Sequence, residues 1–504
     1  MPVFAAVDIG ANSLRLKIAR LTHHRLAVLH EDREVTRLGE AVFRTGMLEP
    51  QAMAHSVQVL RRFHKAAQSC GAESVRVVGT SSLRDSHNAQ TFVDWVRSAT
   101  GWRVEVISGL EEGRLIHLAV SSGARISRKR ALLIDLGGGS CELTVSDHGQ
   151  IGEMFSLPLG AVRLTQEFLR RDPPRSRELE QLHGYIGEEI GRVEKAIHAV
   201  RPEIAVATSG TAAALAALWK SRKQTANGVP QKGVSELAAE LARCDLQARV
   251  NLHGIGARRA EIIIAGAFVY SELLRRLRLP SFRYSPLGLN DGVLAQMVAD
   301  YDEGTRFSRQ IENQRSNSLL VLGKRYGVNA PFAERVRRLV LELFAGMRTV
   351  HRLPPEYAQW LSAAAMLQEV GSFINRSGRR RHACYIIANS EIFGFSVYER
   401  QIIAALARYL GRSRPTAESR SMRQLNAADR EYLPKAVMLL RLARALDQGR
   451  QGNVKAVTVQ IKADQVRLKL RAADSGAELE LWALGKERVY FRSLFGRDLA
   501  PVLS

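Results

Sequence analysis

Two short segments carry an aspartate, glycine and a serine at matching places, DIGANSLRL from Asp8 and DLGGGSCEL from Asp135. Each follows an apolar run, VFAAV or ALLI, and leads into a second apolar alternating stretch, so each reads as a strand, a glycine turn and a returning strand. Glycine lets backbone N–H groups approach an anion closely, serine adds a hydroxyl, and an aspartate at the strand end can hold a cation against it. That is the chemistry of a phosphate clamp. Gly137, Gly138, Gly139 and Ser140 are the expected donors of the second loop, and Asn12 and Ser13 take the matching part in the first. Asp135 and Glu142 flank the second turn, which brings both carboxylates to one mouth. With Asp8 they make a candidate site for Mg²⁺ or another divalent cation, since a hard cation takes oxygen ligands. An Asp-Gly turn also ends many ordinary strands, so Asp8 alone suits either reading.

The elements that must hold these loops follow from periodicity. Residues 1 to 122 predict strands at 3–8, 14–20, 26–30, 75–79 and 103–107, with helices near 50–69, 88–99 and 109–120. Residues 123 to 305 restart the pattern, with strands at 131–135, 142–146, 151–156 and 203–207 and helices near 161–170 and 176–199. The two loops lie about 127 residues apart, so the restart is an internal repeat. RRDPPRSR at 170–177 stops one helix and starts another, and 220–233 reads as a basic loop. From 306 to 448 the pattern is helical, as in the stripe Val336, Leu339, Val340, Leu343 and Phe344. From 449 to 504 a period of two returns at Val457, Val459 and Ile461, then Val466, Leu468 and Leu470, then Leu479 and Leu481, which predicts a small terminal sheet.

A chain of 504 residues exceeds one core and should divide into several domains. Lys and Arg number 73 against 50 Asp and Glu, a net charge of +23, which calls for a polyanionic partner. Nucleic acid is not the expected one, because aromatic residues make up only 6% and do not interleave with the basic clusters. No apolar run is long enough to span a bilayer and the chain opens directly on its first strand, so the expectation is a cytoplasmic protein with no membrane partner. Cys70, Cys141, Cys244 and Cys384 lack metal-type spacing and are expected to be reduced thiols.

The repeated Asp-Gly-x-x-Ser loops resemble the phosphate loops of the actin-like fold shared by actin and the sugar kinases. With SGLEEGRLI at 108–116 between them, the chain resembles the exopolyphosphatase and guanosine pentaphosphatase (Ppx/GppA) family. The resemblance implies an α/β protein of two actin-like (ribonuclease H-like) subdomains, an all-helical HD-like domain and a small β-rich tail. It implies that Glu112 positions the attacking water, although Glu111 and Glu112 also suit the acidic first turn of a helix. It supports Asp135 and Glu142 as cation ligands. TSSLRDSHNA at 80–89 is similar to a family loop that makes Arg84 a phosphate clamp, though a solvated loop arginine fits the same letters. ATSGTAAAL at 207–215 likewise implies that Ser209, Gly210 and Thr211 present a helix start to an anion, though capping alone explains them. Cys141 departs from the family's usual Thr.

Residues from Ala363 resemble a degenerate HD domain, with Gln368 and Glu369 in place of the His-Asp pair and Leu410 in place of a later histidine. His382 alone does not hold a metal, so this domain is expected to bind and not to hydrolyse. Its Arg376, Arg379, Arg380 and Arg381 suit either a rail for a long polyanion or an exposed basic loop. The implied function is Mg²⁺-dependent hydrolysis of terminal phosphate from inorganic polyphosphate. The alternative is guanosine pentaphosphate as substrate, and the resemblance implies a homodimer. A non-catalytic polyanion-binding or RNA-binding protein and an actin-like kinase are the rivals from other classes.

Overall fold

The apolar alternation around each glycine turn does form a hairpin, and each hairpin founds a sheet. In the computed structural model, which describes all residues except 124, 224–227, 303, 412, 474–475 and 504, the chain forms two units, Met1–Ile311 and Glu312–Ser504. In the first unit β1 (Val3–Ile9), β2 (Ser13–Thr22) and β3 (Arg25–Val35) form an antiparallel meander. The Pro50–Ser69 helix then leads to β4 (Ser74–Gly79), which pairs parallel to β1, and β5 (Val104–Val106) completes the order β3-β2-β1-β4-β5. The plan repeats in β6 (Arg130–Leu136), β7 (Cys141–Asp147) and β8 (Gln150–Leu157), followed by the Ser176–Val200 helix and β9 (Ile204–Thr208) parallel to β6. Short strands β10 (Val229–Pro230) and β11 (Ser281–Tyr284) extend that sheet to the order β10-β11-β9-β6-β7-β8. This is the duplicated actin-like α/β arrangement.

Every residue of β1 is buried, because both faces of its sheet are covered. One face packs on the Pro50–Ser69 helix through Val57, Leu60 and Phe63. The opposite face shares a core with the second sheet, in which Ala6, Val78, Leu133 and Val206 meet two helices, Gly109–Gly123 and Leu289–Tyr301. Those helices touch backbone to backbone: a Cβ on Gly292 would lie 2.0 Å from the Leu115 carbonyl oxygen, so only glycine fits there.

The second unit is built from helices, including Ala330–Gly346, Tyr357–Leu367, Arg379–Asn389, Val397–Arg408 and Ala427–Ala445, and ends in a three-stranded sheet. β12 (Val454–Ile461) and β13 (Gln465–Ala472) follow the expected alternation. The expected strand at Leu479 and Leu481 is instead a helix, Glu478–Gly485, and the third strand is β14 (Asp498–Leu503). The buried set there is Glu480, Ala483 and Leu484, a three-and-four spacing that the two leucines alone concealed. The expected loop at 220–233 is also shorter than read: the Ser209–Lys223 helix runs into it, and the Gln231–Arg243 helix starts within it. Among the described residues no helix is long and apolar enough to cross a membrane.

His117, on the Gly109–Gly123 helix, is fully buried with Nε2 3.0 Å from the Ser146 hydroxyl, and burial, aided by the Arg114 charge, pushes its pKa down to about 4. The unfolded chain takes up that proton near pH 6.5 or so. Stability from this residue is therefore full above that pH and is lost as pH falls toward the folded value. The stability gap between the parent and His117→Gln, measured by urea unfolding, is expected to narrow as pH drops from about 7 to about 4.5. A constant gap would mean that His117 does not titrate on unfolding.

Candidate active site

Register decides what each hairpin presents. In the second hairpin Asp135 pairs directly with Glu142, so their carboxylates leave the same face side by side. In the first hairpin the corresponding partner of Asp8 is Arg15, and Arg15 in turn pairs with Arg33 on β3. The repeat thus gives one lobe a pair of carboxylates and the other a carboxylate beside a row of guanidiniums.

The two turns face each other closely. A Cβ on Gly138 would lie 3.0 Å from Ala11 Cβ and 3.3 Å from the Asn12 nitrogen, and one on Gly139 would lie 2.4 Å from Ser81 Oγ and 2.3 Å from the Phe43 ring. None of Gly137, Gly138 and Gly139 has a positive φ, so these glycines supply room and not handedness. The carbonyls of the turn are tied from behind: Ala161 and Val162 N–H groups donate to Gly137 and Gly138 at 3.0 and 2.8 Å, and Arg163 Nε donates to Gly139 at 2.7 Å. The Gly137 N–H closes the turn on the Ser140 carbonyl at 3.0 Å, which removes it from the expected phosphate donors. Those of Gly138 and Gly139 donate to no described residue. Ser13 is buried and Asn12 partly so, both at the facing turn.

Glu112 reaches this mouth from the Gly109–Gly123 helix, whose start is capped by Ser108 Oγ accepting from the Glu111 N–H at 3.1 Å. Gly109 and Gly113, one turn apart, lay the helix directly on β7 and β8. A Cβ on Gly109 would fall 2.1 Å from Ser156 Oγ and 3.1 Å from Glu142 Oε1, and one on Gly113 would fall 3.0 Å from Thr144 Oγ1. Of the two adjacent glutamates only Glu112 faces Asp135 and Glu142. Glu111 turns away to Arg114, which donates to it at 2.8 and 2.7 Å and to Gln296 at 2.9 Å. Arg84 donates to the Ile107 carbonyl at 2.8 Å and stands 3.9 Å from Glu112 Oε2.

The carboxylates of Glu112, Asp135 and Glu142 offer oxygens within 4.8 Å of one another, all buried. Burial and then mutual repulsion raise the pKa of Glu112 and Glu142, and burial raises Asp135 to about 6. Ser156 donates to Glu142 Oε1 at 2.8 Å, but Glu112 Oε2, Glu142 Oε2 and Asp8 Oδ1 are buried without a hydrogen-bond partner. Such oxygens, turned inward with no donor, fit a hard divalent cation. Asp8 stands outside the three-carboxylate cluster, on the facing hairpin, where burial raises its pKa against the pull of Arg15 and Arg33.

Beside this mouth lies a cavity of about 360 Å³ lined by Arg15, Arg33, Arg259, Tyr284 and Asn290, with the Ser209–Gly210 helix start at its wall; Glu31, Asp32 and Asp291 also line it, but each is already paired, with Lys17 or Arg62. Burial first, then the other guanidiniums, lowers Arg33 to about 9 and Arg259 to about 10. The Arg259 guanidinium rests on Gly210, where a Cβ would lie 1.9 Å from Nη1. The helix start therefore presents an arginine to the cavity. Ser209, at φ 71°, spends its hydroxyl on the Leu136 carbonyl at 2.7 Å, and Thr211 is buried. The sequence reading missed Arg15, Arg33 and Arg259; the only signal for Arg15 was its place opposite Asp8 in the hairpin. Cys141 is fully buried in the second sheet's core, a packing position. Arg376, Arg379, Arg380 and Arg381 belong to the second unit.

Raised carboxyl pKa values carry a sign. Without a cation the folded state holds these protons longer than the unfolded chain, so stability from the cluster is full at low pH and is lost as pH rises through the folded values. A divalent cation must displace the protons, and it should raise the melting temperature much more at about pH 8 than at about pH 5. Calorimetry with and without Mg²⁺ at both pH values checks this, and an equal shift at both would place the cation elsewhere. Gly109→Ala should lower kcat by at least about tenfold through the displaced helix, with partial recovery in the Gly109→Ala/Ser156→Ala double variant.

Comparison with known proteins agrees with this architecture. A guanosine-5'-triphosphate,3'-diphosphate pyrophosphatase of Aeromonas hydrophila is 26% identical over 93% of this chain and 92% of its own. Exopolyphosphatase 1 of Mycobacterium leprae is 30% identical over 59% of this chain and 90% of its own. Among solved structures, an exopolyphosphatase from Cytophaga hutchinsonii matches 60% of this chain and 99% of its own at 25% identity, with a TM-score of 0.56. An Aquifex aeolicus member of the Ppx/GppA family matches 60% of this chain and 99% of its own at 28% identity, with a TM-score of 0.51. The model of the Ppx/GppA phosphatase family matches residues 17–301 and that of Ppx/GppA phosphatase domain III matches residues 314–488, so the chain belongs to the Ppx/GppA phosphatase family.

Proposed function

We propose that this chain is a Mg²⁺-dependent exopolyphosphatase that releases orthophosphate from the end of inorganic polyphosphate. The observation that carries the reading is the meeting of three buried carboxylates with two glycine N–H groups that donate to no described residue, beside a cavity whose wall includes Arg15, Arg33 and Arg259. Phosphoanhydride hydrolysis needs an in-line water, neutralised charge on the transferred group and a stabilised leaving oxygen. The Gly138 and Gly139 N–H groups hold the terminal phosphoryl oxygens, with Ser140, Asn12 and Ser13 around them. Glu112 positions the water and accepts its proton, and Arg84 at 3.9 Å orients that carboxylate. Asp135 and Glu142, with Asp8 on the facing turn, would hold the divalent cation, which offsets negative charge on the phosphoryl group when bound. Arg15, Arg33 and Arg259 take the oxygens of the departing chain.

A second reading, hydrolysis of the terminal phosphate of guanosine pentaphosphate, is favoured by the Aeromonas relative that spans 93% of the chain. Both readings break the same kind of bond in the same clamp. The net charge of +23 favours the longer polyanion. On either reading the enzyme works in the cytoplasm, and the family likeness extends the proposal to a homodimer, which light scattering would test.

Phosphate release from long-chain polyphosphate, guanosine pentaphosphate and ATP, compared at equal terminal-phosphate concentration, decides between them. Polyphosphate should give the highest kcat/KM; a larger value for guanosine pentaphosphate would establish the second reading. Glu112→Gln should lower kcat by about 10²–10⁴ with KM little changed, because only the proton acceptor is lost. Arg33→Met should instead raise KM and flatten its salt dependence. Parent-like kcat in the Glu112 variant would remove that residue from the mechanism.

A further inference from the structure

The second unit holds an arginine cluster with few carboxylates to match it. Arg380, at the start of the Arg379–Asn389 helix, folds inward over Gly411, just beyond the end of the Val397–Arg408 helix. A Cβ at 411 would lie 1.6 Å from Arg380 Nη1 and 2.8 Å from its Cζ, so the backbone has been left bare to seat this guanidinium. Arg441, near the end of the Ala427–Ala445 helix, donates to the Gly411 carbonyl and pairs with Glu487 at 2.8 Å. Glu369 is taken by Arg450. Among the described residues Arg379, Arg380, Arg408 and Arg444 form no ion pair with a carboxylate. Arg379, Arg380 and Arg444 are partly buried, whereas Arg376 and Arg381 are exposed. Burial lowers the pKa of Arg380 to about 10, with Arg444, Arg379, Arg441 and Arg408 adding repulsion. Burial also lowers Arg444, partly offset by Glu369 and reinforced by Arg379, Arg450 and Arg441.

Half-buried like charges without counterions are unfavourable unless something else supplies the opposite charge. The positions at which the HD likeness calls for cation ligands border this cluster: Glu369 acts on Arg444 and Arg450, and Leu410 precedes Gly411. Where a metal-binding site would gather carboxylates, this chain gathers guanidiniums. The geometry points to an anion site in which Arg380 and Arg444, flanked by Arg379 and Arg408, take one phosphate-type tetrahedral oxyanion, either free orthophosphate or the end of a phosphate chain. The planar forks suit such an anion because each can donate two parallel hydrogen bonds to it. This site uses no residue of the cleft in the first unit and does not rest on the activity proposed for it.

Thermal unfolding of the full-length protein in EDTA, at fixed ionic strength, tests the assignment with orthophosphate and tripolyphosphate titrated against chloride. The parent is compared with Arg380→Gln and Arg444→Gln, so that phosphate binding in the cleft is common to all three. The concentration needed for a given melting-temperature rise should increase by at least about tenfold in both variants for at least one of the two anions. Both variants should also unfold at a higher temperature than the parent in chloride alone, since repulsion is relieved. If Arg380→Gln does not fold, Arg380→Lys, which keeps the charge and loses the fork, must show the same weakened response. Loss of the orthophosphate response assigns the site to the free anion, and loss confined to tripolyphosphate assigns it to a chain end. An unchanged response to both anions in the variants overturns the site.

Discussion

Three carboxylates packed into one buried mouth repel each other, and much of the first unit serves to hold them there. Their oxygens lie within 4.8 Å, a spacing that costs free energy until a cation or protons compensate. Such a cluster persists only if its supports are rigid, and each support is visible. Hairpin register fixes Asp135 beside Glu142, Ser156 holds one Glu142 oxygen, and the glycine face of the Gly109–Gly123 helix presses Glu112 toward them. Arg114 anchors the same helix from the other side, through Glu111 and Gln296.

Duplication supplied the two hairpins, and divergence gave them different work. At one pair of equivalent positions the second lobe carries Glu142 and the first carries Arg15, which Arg33 joins across the sheet. Like charges on adjacent strands are unfavourable in an empty sheet, yet they are what a polyphosphate substrate would neutralise. Charge of one sign thus gathers around the proposed attacking water and charge of the other around the proposed leaving group. Both gatherings are strained without their partners, which ties the stability of the cleft to its occupancy.

Much of this was written locally. A strand, an Asp-Gly turn and a returning strand specify a hairpin within a dozen residues, so the loops, the repeat and the pairing of Asp135 with Glu142 were legible before any fold was known. Alternation and helical stripes located most strands and helices for the same reason. The failure at Leu479 and Leu481 shows the limit: two residues two apart fit a strand as well as a helix, and only burial of Glu480, Ala483 and Leu484 distinguishes them.

What the tertiary structure alone decided concerns residues far apart in the chain. The family resemblance singled out Glu112, but the pair Glu111–Glu112 holds no physical reason for that choice; helix packing through Gly109 and Gly113 turns Glu112 to the carboxylates and gives Glu111 to Arg114. Arg15, Arg33 and Arg259 come from separate segments, and in a chain with 73 basic residues none of them stands out. In the sequence Arg380 was one of four arginines that suited a polyanion rail or an exposed loop alike; packing singles it out by seating it over Gly411. Sequence fixes local geometry because backbone pairing and side-chain period act over a few residues. The electrostatic environment of a side chain depends on which distant segments the core brings beside it, and only packing determines that.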